Sequence, residues 1–234
     1  MTIKYCFLSA VPMRATASHR SEMVNQLLLG DAVEVLEQVP KWNRVRSVFD
    51  GYEGWVSDKQ LSDSKTFAHP NHIAFRNSKA IIDSIPTLIP AGAYCKREWM
   101  PQDYTEATER EPVAIASQFL GAPYLWGGRT SMGIDCSGLV QVTYKICGID
   151  LPRDASQQAQ CGNEVKLIES TAGDLAFFAN DEGRIVHVGI VAGNGSIIHA
   201  SGLVRQDRLD ETGIFNAGLN IYTHRLKEIR RVEH

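Results

Sequence analysis

The chain has 234 residues, 44% hydrophobic and 22% charged, which is the composition of an ordinary globular protein with one large domain or two modest ones. A net charge of −3 gives no reason to expect nucleic acid or an anionic membrane as partner. No apolar run is long enough to span a bilayer, and MTIKYCFLSAVPMRA lacks the cationic and apolar regions of a secretory signal, so a cytoplasmic location is expected.

Residues 1 to about 66 have a β-rich pattern. The runs Lys4–Leu8, Ala32–Leu36 and Asn43–Val48 alternate or carry β-branched residues, and Gly30-Asp31, Pro40 and Asp50-Gly51 punctuate them. Residues 67 to about 110 show no clear period, because Pro70, Pro86, Pro90 and Pro101 interrupt them. Ile81-Ile82 and Leu88-Ile89 suggest short buried strands, with Pro90–Ala93 as a turn. A stretch this long is expected to be packed, either as a linker against the cleft or as a degenerate second barrel.

From Glu111 the pattern changes. EPVAIASQFLGAPY predicts an amphipathic helix, with Pro112 near its first turn and Gly121 past its end. A Gly-Gly turn then leads to Asp135-Cys136-Ser137-Gly138, where Leu139, Val142, Thr143 and Ile146 recur at helical spacing. Cys136 therefore falls in the first turn of a helix ending near Gly148, and Asp135 can cap it. The unpaired N–H groups and partial positive charge there favour a thiolate, which makes Cys136 a candidate nucleophile. LPRDASQQAQCG reads as a loop running into a short helix, for which Ser156 can serve as N-cap. Strands are predicted over Gly173–Phe178, Arg184–Val191, Gly195–Ala200 and Leu219–Arg225. Helices come first and an antiparallel sheet follows, so the fold class is α+β.

Within the second of these strands His187 shares a face with Ile185, Gly189 and Val191, and Gly189 leaves room beside the imidazole. A hairpin over Ala192–Gly195 brings His199 onto the neighbouring strand. A cysteine at a helix start, a strand histidine and a second polar side chain to hold it make a nucleophile–base–orienter set. Here these are Cys136, His187 and His199. The two histidines lack a third ligand at metal-binding spacing, so no metal and no cofactor are expected. The other four cysteines, Cys6, Cys95, Cys147 and Cys161, have nothing reactive around them, and the odd total without a CxxC pair fits a reducing compartment.

PYLWGG, GIDCSGLVQ, LPRDASQQ, GDLAFF, HVGIV and IIHAS, in that order over residues 111 to 225, resemble the NlpC/P60 family of cysteine peptidases. MVNQLLLGDAVEVLE, WNRVRSV and DGYEGWVSDKQL resemble a bacterial SH3 domain. The resemblance implies a papain-like catalytic domain over 111–234, a small SH3-like β-barrel over 1–66, and hydrolysis of amide bonds in bacterial cell-wall peptides. It implies Cys136 as nucleophile, His187 as base, His199 as third member and Tyr124 near the oxyanion. The barrel-first layout is similar to γ-D-glutamyl-L-diamino acid endopeptidases of murein recycling. Those enzymes cut peptides with a free N-terminal L-Ala before diaminopimelate or lysine.

A buried substrate ammonium needs carboxylate and hydroxyl acceptors. Asp135, Ser137 and Ser156 are the candidates in the peptidase domain, with Arg153 pairing a substrate carboxylate or orienting Asp135. From the barrel Glu22 and Tyr52 join them, although Tyr52 equally suits plain barrel packing. The expected partner is a murein-derived peptide, and the chain is expected to be a monomer. An exported hydrolase of intact peptidoglycan, a wall-peptide binding module and a thioester-using acyltransferase are the competing readings.

Overall fold

In a computed structural model describing residues 2–68, 70–101, 104 and 110–233, the chain divides into Met1–Thr108 with Trp126–Ser131, and Glu109–Leu125 with Met132–His234. The first unit holds seven antiparallel strands, of which the first, fourth and fifth lie over the three alternating runs and the other four are additional to them. The seven are β1 (Thr2–Cys6), β2 (Ala10–Arg14), β3 (Met23–Leu28), β4 (Ala32–Val39), β5 (Trp42–Ser47), β6 (Glu53–Ser57) and β7 (Leu61–Ser62). They lie in the order β3-β2-β6-β5-β4-β1-β7. Alternation sends Val11, Met13, Leu27, Val33, Val45 and Val56 into one core. Arg44, Arg46 and Glu53 point outward and pair in water, where such contacts contribute little. Gly30 is required where it stands: φ is +79°, and an added Cβ would lie 2.1 Å from the Tyr94 carbonyl oxygen.

The proline-broken stretch forms two ribbons. β8 (His72–Ile73) pairs with β11 (Tyr94–Cys95), and β9 (Ser78–Ile82) pairs with β10 (Ile85–Ile89). Asp83 and Ser84 turn the second ribbon with φ of 48° and 67°. Both apolar doublets are expected inside, but only one residue of each is. Ile82 and Ile89 are buried, whereas Ile81 is 73% and Leu88 40% exposed, because neighbouring residues on a strand face opposite ways. This unit also holds β12 (Arg129–Thr130), from the loop that precedes the cysteine. Arg129 is wholly buried, donating to Asp31 Oδ2 at 3.3 Å and to the Gln26 carbonyl at 2.9 Å, with its guanidinium 5.6 Å from the Phe49 ring centre.

In the second unit α1 (Pro112–Ser117) is shorter than its sequence suggested. The chain leaves the helix before Gly121, whose φ is +84°, and the N–H groups of Gly121 and Tyr124 donate to the Val204 and Gly202 carbonyls, both at 2.9 Å. After β13 (Gly133–Ile134) comes α2 (Cys136–Ile146), buried along its whole length, then α3 (Ala155–Gln158). The remaining strands are β14 (Asn163–Val165), β15 (Leu175–Ala179), β16 (Ile185–Gly193), β17 (Ser196–Ser201), β18 (Leu203–Leu209), β19 (Gly213–Asn216) and β20 (Ile221–Arg231). Their order is β14-β20-β15-β16-β17-β18-β19, and β20 also pairs with β19, so the sheet closes on itself. Helices precede the sheet as expected, but strands dominate the unit. β18 and β19 are additional to the predicted strands. In β18 only Val204 and Leu209 are buried apolar residues, and the four residues between them, Arg205 to Arg208, are all polar. That polar run hides the apolar alternation by which a strand is usually read. No helix among the described residues is long and apolar enough to cross a membrane.

Candidate active site

Cys136 is the first residue of α2, and Asp135 is its N-cap in extended conformation (φ −96°, ψ 178°). The Asp135 carboxylate accepts the Gly138 N–H at 2.7 Å and the Ser137 hydroxyl at 3.3 Å, which fixes the turn on which the thiol stands. Arg153 locks this arrangement. It donates to Asp135 at 3.0 and 2.5 Å and to Ser137 Oγ at 2.8 Å, with Asp135 and Arg153 only 4% and 2% exposed. Asp135 and Arg153 therefore meet each other directly.

Helix α2 packs against β16 and β17. The N–H of Val188, the residue after His187, lies within hydrogen-bond reach of the Cys136 sulphur, as does that of Ser137. His187 Nε2 and His199 Nδ1 are 2.9 Å apart, and both side chains are buried. Gly189 sits opposite His199 in the β16–β17 register, and a Cβ there would come within 2.9 Å of the His199 Cβ. The space beside the strand histidine is thus taken by His199 and Ile197.

Two further groups complete the cluster, and sequence reasoning had given neither a role. Asp207 on β18 lies 3.1 Å from His199 Nε2 and is itself gripped by Arg205. His224 on β20 stacks on His187, with ring centres 4.0 Å apart and planes 22° from parallel. The signal for Asp207 was present in the sequence as a polar residue in a run across the Ser201-Gly202 turn. His224 fell inside a predicted strand, but nothing local tied it to His187.

His224 also corrects the argument that no third imidazole was available for a metal. Nitrogens of His187, His199 and His224 all lie within 4.8 Å of one another. Stacking sets the lone pairs of His187 and His224 in nearly parallel planes, however, and the facing nitrogens of His187 and His199 are already hydrogen-bonded.

Electrostatics refine the sequence expectation for the thiol. Burial, helped by the Asp135 charge, pushes Cys136 up to about 11, against the N–H groups of Val188 and Ser137 and against Arg153. Enclosure outweighs the helix terminus. Burial also holds His187 well below the ordinary imidazole value, with His224 and His199 adding to the effect. The resting pair is a thiol beside a neutral imidazole. Burial and the Cys136 and Asp135 charges raise Tyr124 to about 12, so this half-buried phenol is a protonated donor at neutral pH.

The same shifts make the second unit sensitive to mild acid. His187 and His199 are lowered by burial and His224 falls to about 4, so below the unfolded value of about 6.5 the unfolded chain binds protons that the native chain refuses. Each of the two enclosed histidines, His187 and His199, lowers stability by up to about 1.4 kcal/mol per pH unit between about 6.5 and its folded value. The depressed carboxyl Asp210 begins to matter only further into acid. Urea midpoints of the second unit should therefore fall between pH 7 and pH 5. Equal midpoints at the two pH values would rule this out.

The remaining candidates lie as follows. Ser156 is exposed on α3, and the cap of that helix is Asp154, paired with Gln157 in a capping box, rather than Ser156. Glu22 is exposed just before β3 in the first unit. Tyr52 packs against the barrel core, in keeping with the packing alternative. All five cysteines are free.

Comparison with known proteins places these features. The profile of the NlpC/P60 family matches residues 121–221, and that of the bacterial dipeptidyl-peptidase SH3 domain matches residues 13–61. A γ-D-glutamyl-L-lysine dipeptidyl-peptidase of Bacillus subtilis is 32% identical over 210 residues, spanning 75% of this chain and 71% of its own. The protein of the same name from Bacillus cereus is 28% identical over 232 residues, spanning 78% and 68%. Among solved structures, an NlpC/P60 family protein from Bacillus cereus superposes with a TM-score of 0.82 at 20% identity, over 98% of this chain and 99% of that one. At that identity the likeness speaks for the fold.

Proposed function

Because the chain belongs to the NlpC/P60 family of cysteine peptidases, we propose that it cuts the γ-D-glutamyl–diamino acid bond of peptidoglycan-derived peptides, releasing an N-terminal L-Ala-D-Glu dipeptide. The observation that carries this reading is the His187–His199 hydrogen bond beside the strand position whose neighbour, Val188, reaches the Cys136 sulphur. The printed activity of the two Bacillus relatives supports the choice of bond. In the same reading residues 111–234 form a papain-like peptidase domain, residues 1–66 an SH3-like module, and the substrate is a free peptide.

The Cys136 sulphur attacks the γ-carbonyl carbon as His187 takes the thiol proton, forming the S–C bond. The resulting oxyanion is held by N–H groups at the start of α2 and by the Tyr124 hydroxyl. The C–N bond then breaks, and His187 gives its proton to the departing amine of the diamino acid. A water molecule, relieved of a proton by His187, splits the thioester and restores the thiol. His199 holds the far nitrogen of His187 throughout. Asp135 and Arg153, bound to each other, brace the nucleophile turn, and the Asp135 charge also suits a substrate ammonium close by.

The test is a mass-spectrometric digest of L-Ala-γ-D-Glu-diaminopimelate, its lysine counterpart, the N-acetylated peptide and purified sacculi, with Cys136→Ala as blank. Release of L-Ala-D-Glu from the free peptides alone is the expected result. Cleavage of sacculi or of the acetylated peptide at a similar rate would replace this reading with an open-cleft wall hydrolase. No cleavage of any substrate would point to a binding module.

A further inference from the structure

We propose that Asp207 is a positioning residue that fixes the tautomers of both site histidines, and so decides which nitrogen of His187 receives the thiol proton. The inference rests on the cysteine-peptidase reading above and adds a fourth member to its cluster. β17 and β18 run antiparallel across Gly202, with Ile197 opposite Asp207 and His199 opposite Arg205. The side chains at 197, 199, 205 and 207 therefore share one face, and Asp207 reaches His199 diagonally. Both partners are enclosed, the His199 side chain at 1% and the Asp207 side chain at 6% exposure. Arg205 closes on the same carboxylate from the outside, with Nε 2.7 Å from Oδ2 and Nη2 2.9 Å from Oδ1. The Nη2 hydrogen bond to Oδ1 fixes the orientation of Asp207 and leaves Oδ2 facing the imidazole.

The proton positions follow by elimination. A carboxylate can only accept, so the 3.1 Å contact puts a proton on His199 Nε2. A neutral ring carries one N–H, which leaves His199 Nδ1 as an acceptor. The 2.9 Å contact between that atom and His187 Nε2 then needs a proton on His187 Nε2. The remaining nitrogen of neutral His187, Nδ1, is consequently bare and is the atom that can take a proton from Cys136. When it does, His187 becomes a cation whose Nε2–H still donates to His199, with the Asp207 charge behind it. Without an acceptor at 207, His199 is free to protonate at Nδ1 and donate to His187 Nε2. That moves the His187 proton onto Nδ1, where it blocks the base.

Asp207→Asn tests this with almost no change of shape. If Arg205 retains the amide oxygen, the amide NH2 faces His199 Nε2 and enforces the inverted tautomers. The expected result is a fall in kcat on the order of 100-fold with KM within about 3-fold, smaller than the loss caused by the analogous change directly beside a serine-peptidase base. The pH profile should change as well. Between pH 7 and pH 9 kcat/KM of the variant should keep rising, as hydroxide replaces the lost base, while the unaltered protein is flat. Long-range 15N–1H spectra of the unaltered protein should show protons on Nε2 of both His187 and His199, and on Nδ1 in the variant. A proton on His187 Nδ1 in the unaltered protein overturns the proposal, whether or not any variant folds. So does an unchanged kcat and pH profile in Asp207→Asn while His187→Ala is inactive. If His187→Ala and Cys136→Ala both retain cleavage, the peptidase reading itself fails.

Discussion

Cys136→Ala and His187→Ala should each reduce peptide cleavage by a factor on the order of 10⁵, and the double variant should be no worse than either alone. The reason lies in the resting state. With burial holding the thiol at about 11 and His187 neutral, little nucleophile exists before the imidazole takes the proton. In the proposed mechanism neither group performs its step without the other, so their losses do not add. Alkylation of Cys136 by iodoacetamide gives a second measure that needs no substrate, and it should slow in His187→Ala. Single-turnover assays of the three variants decide the matter. A double variant slower by the product of the single losses would mean that the two side chains act independently.

Arg153→Met should destabilise the second unit by about 3–5 kcal/mol, the cost of leaving one partner of a buried ion pair uncompensated. Asp135, at 4% exposure, would lose both Arg153 contacts, and the Ser137 hydroxyl would lose a donor at 2.8 Å. Coupling to Asp135→Asn should recover much of the loss, because the amide carries no charge to strand, and it still offers an oxygen to the Gly138 N–H. Urea unfolding of the two single variants and the double variant measures the coupling. A single-variant loss below about 1 kcal/mol would show that Arg153 is held elsewhere. If Arg153 chiefly reads a substrate carboxylate, stability changes little and KM rises instead.

The parts of this protein that can be read from residue order are those whose signals are local. The Asp135 cap and the start of the helix at Cys136 follow from residue type and 3.6-residue spacing. Three barrel strands, β1, β4 and β5, and the β16–β17 hairpin that sets His199 beside β16 follow from alternation and turn residues. Other features depend on stretches of chain with no local knowledge of each other, and they emerge only on folding. The last strand, β20, pairs with both β15 and β19, and this closure brings His224 onto His187. The polar run of β18 reads weakly as a strand, yet it delivers Asp207 to His199. Each doublet in β9 and β10 was apolar at both positions, and only packing chose Ile82 and Ile89 for the interior. The thiol turned on a balance of the same kind. A helix start favours the thiolate through groups within one turn, but the opposing desolvation comes from everything that encloses Cys136, and that enclosure is a property of the folded unit.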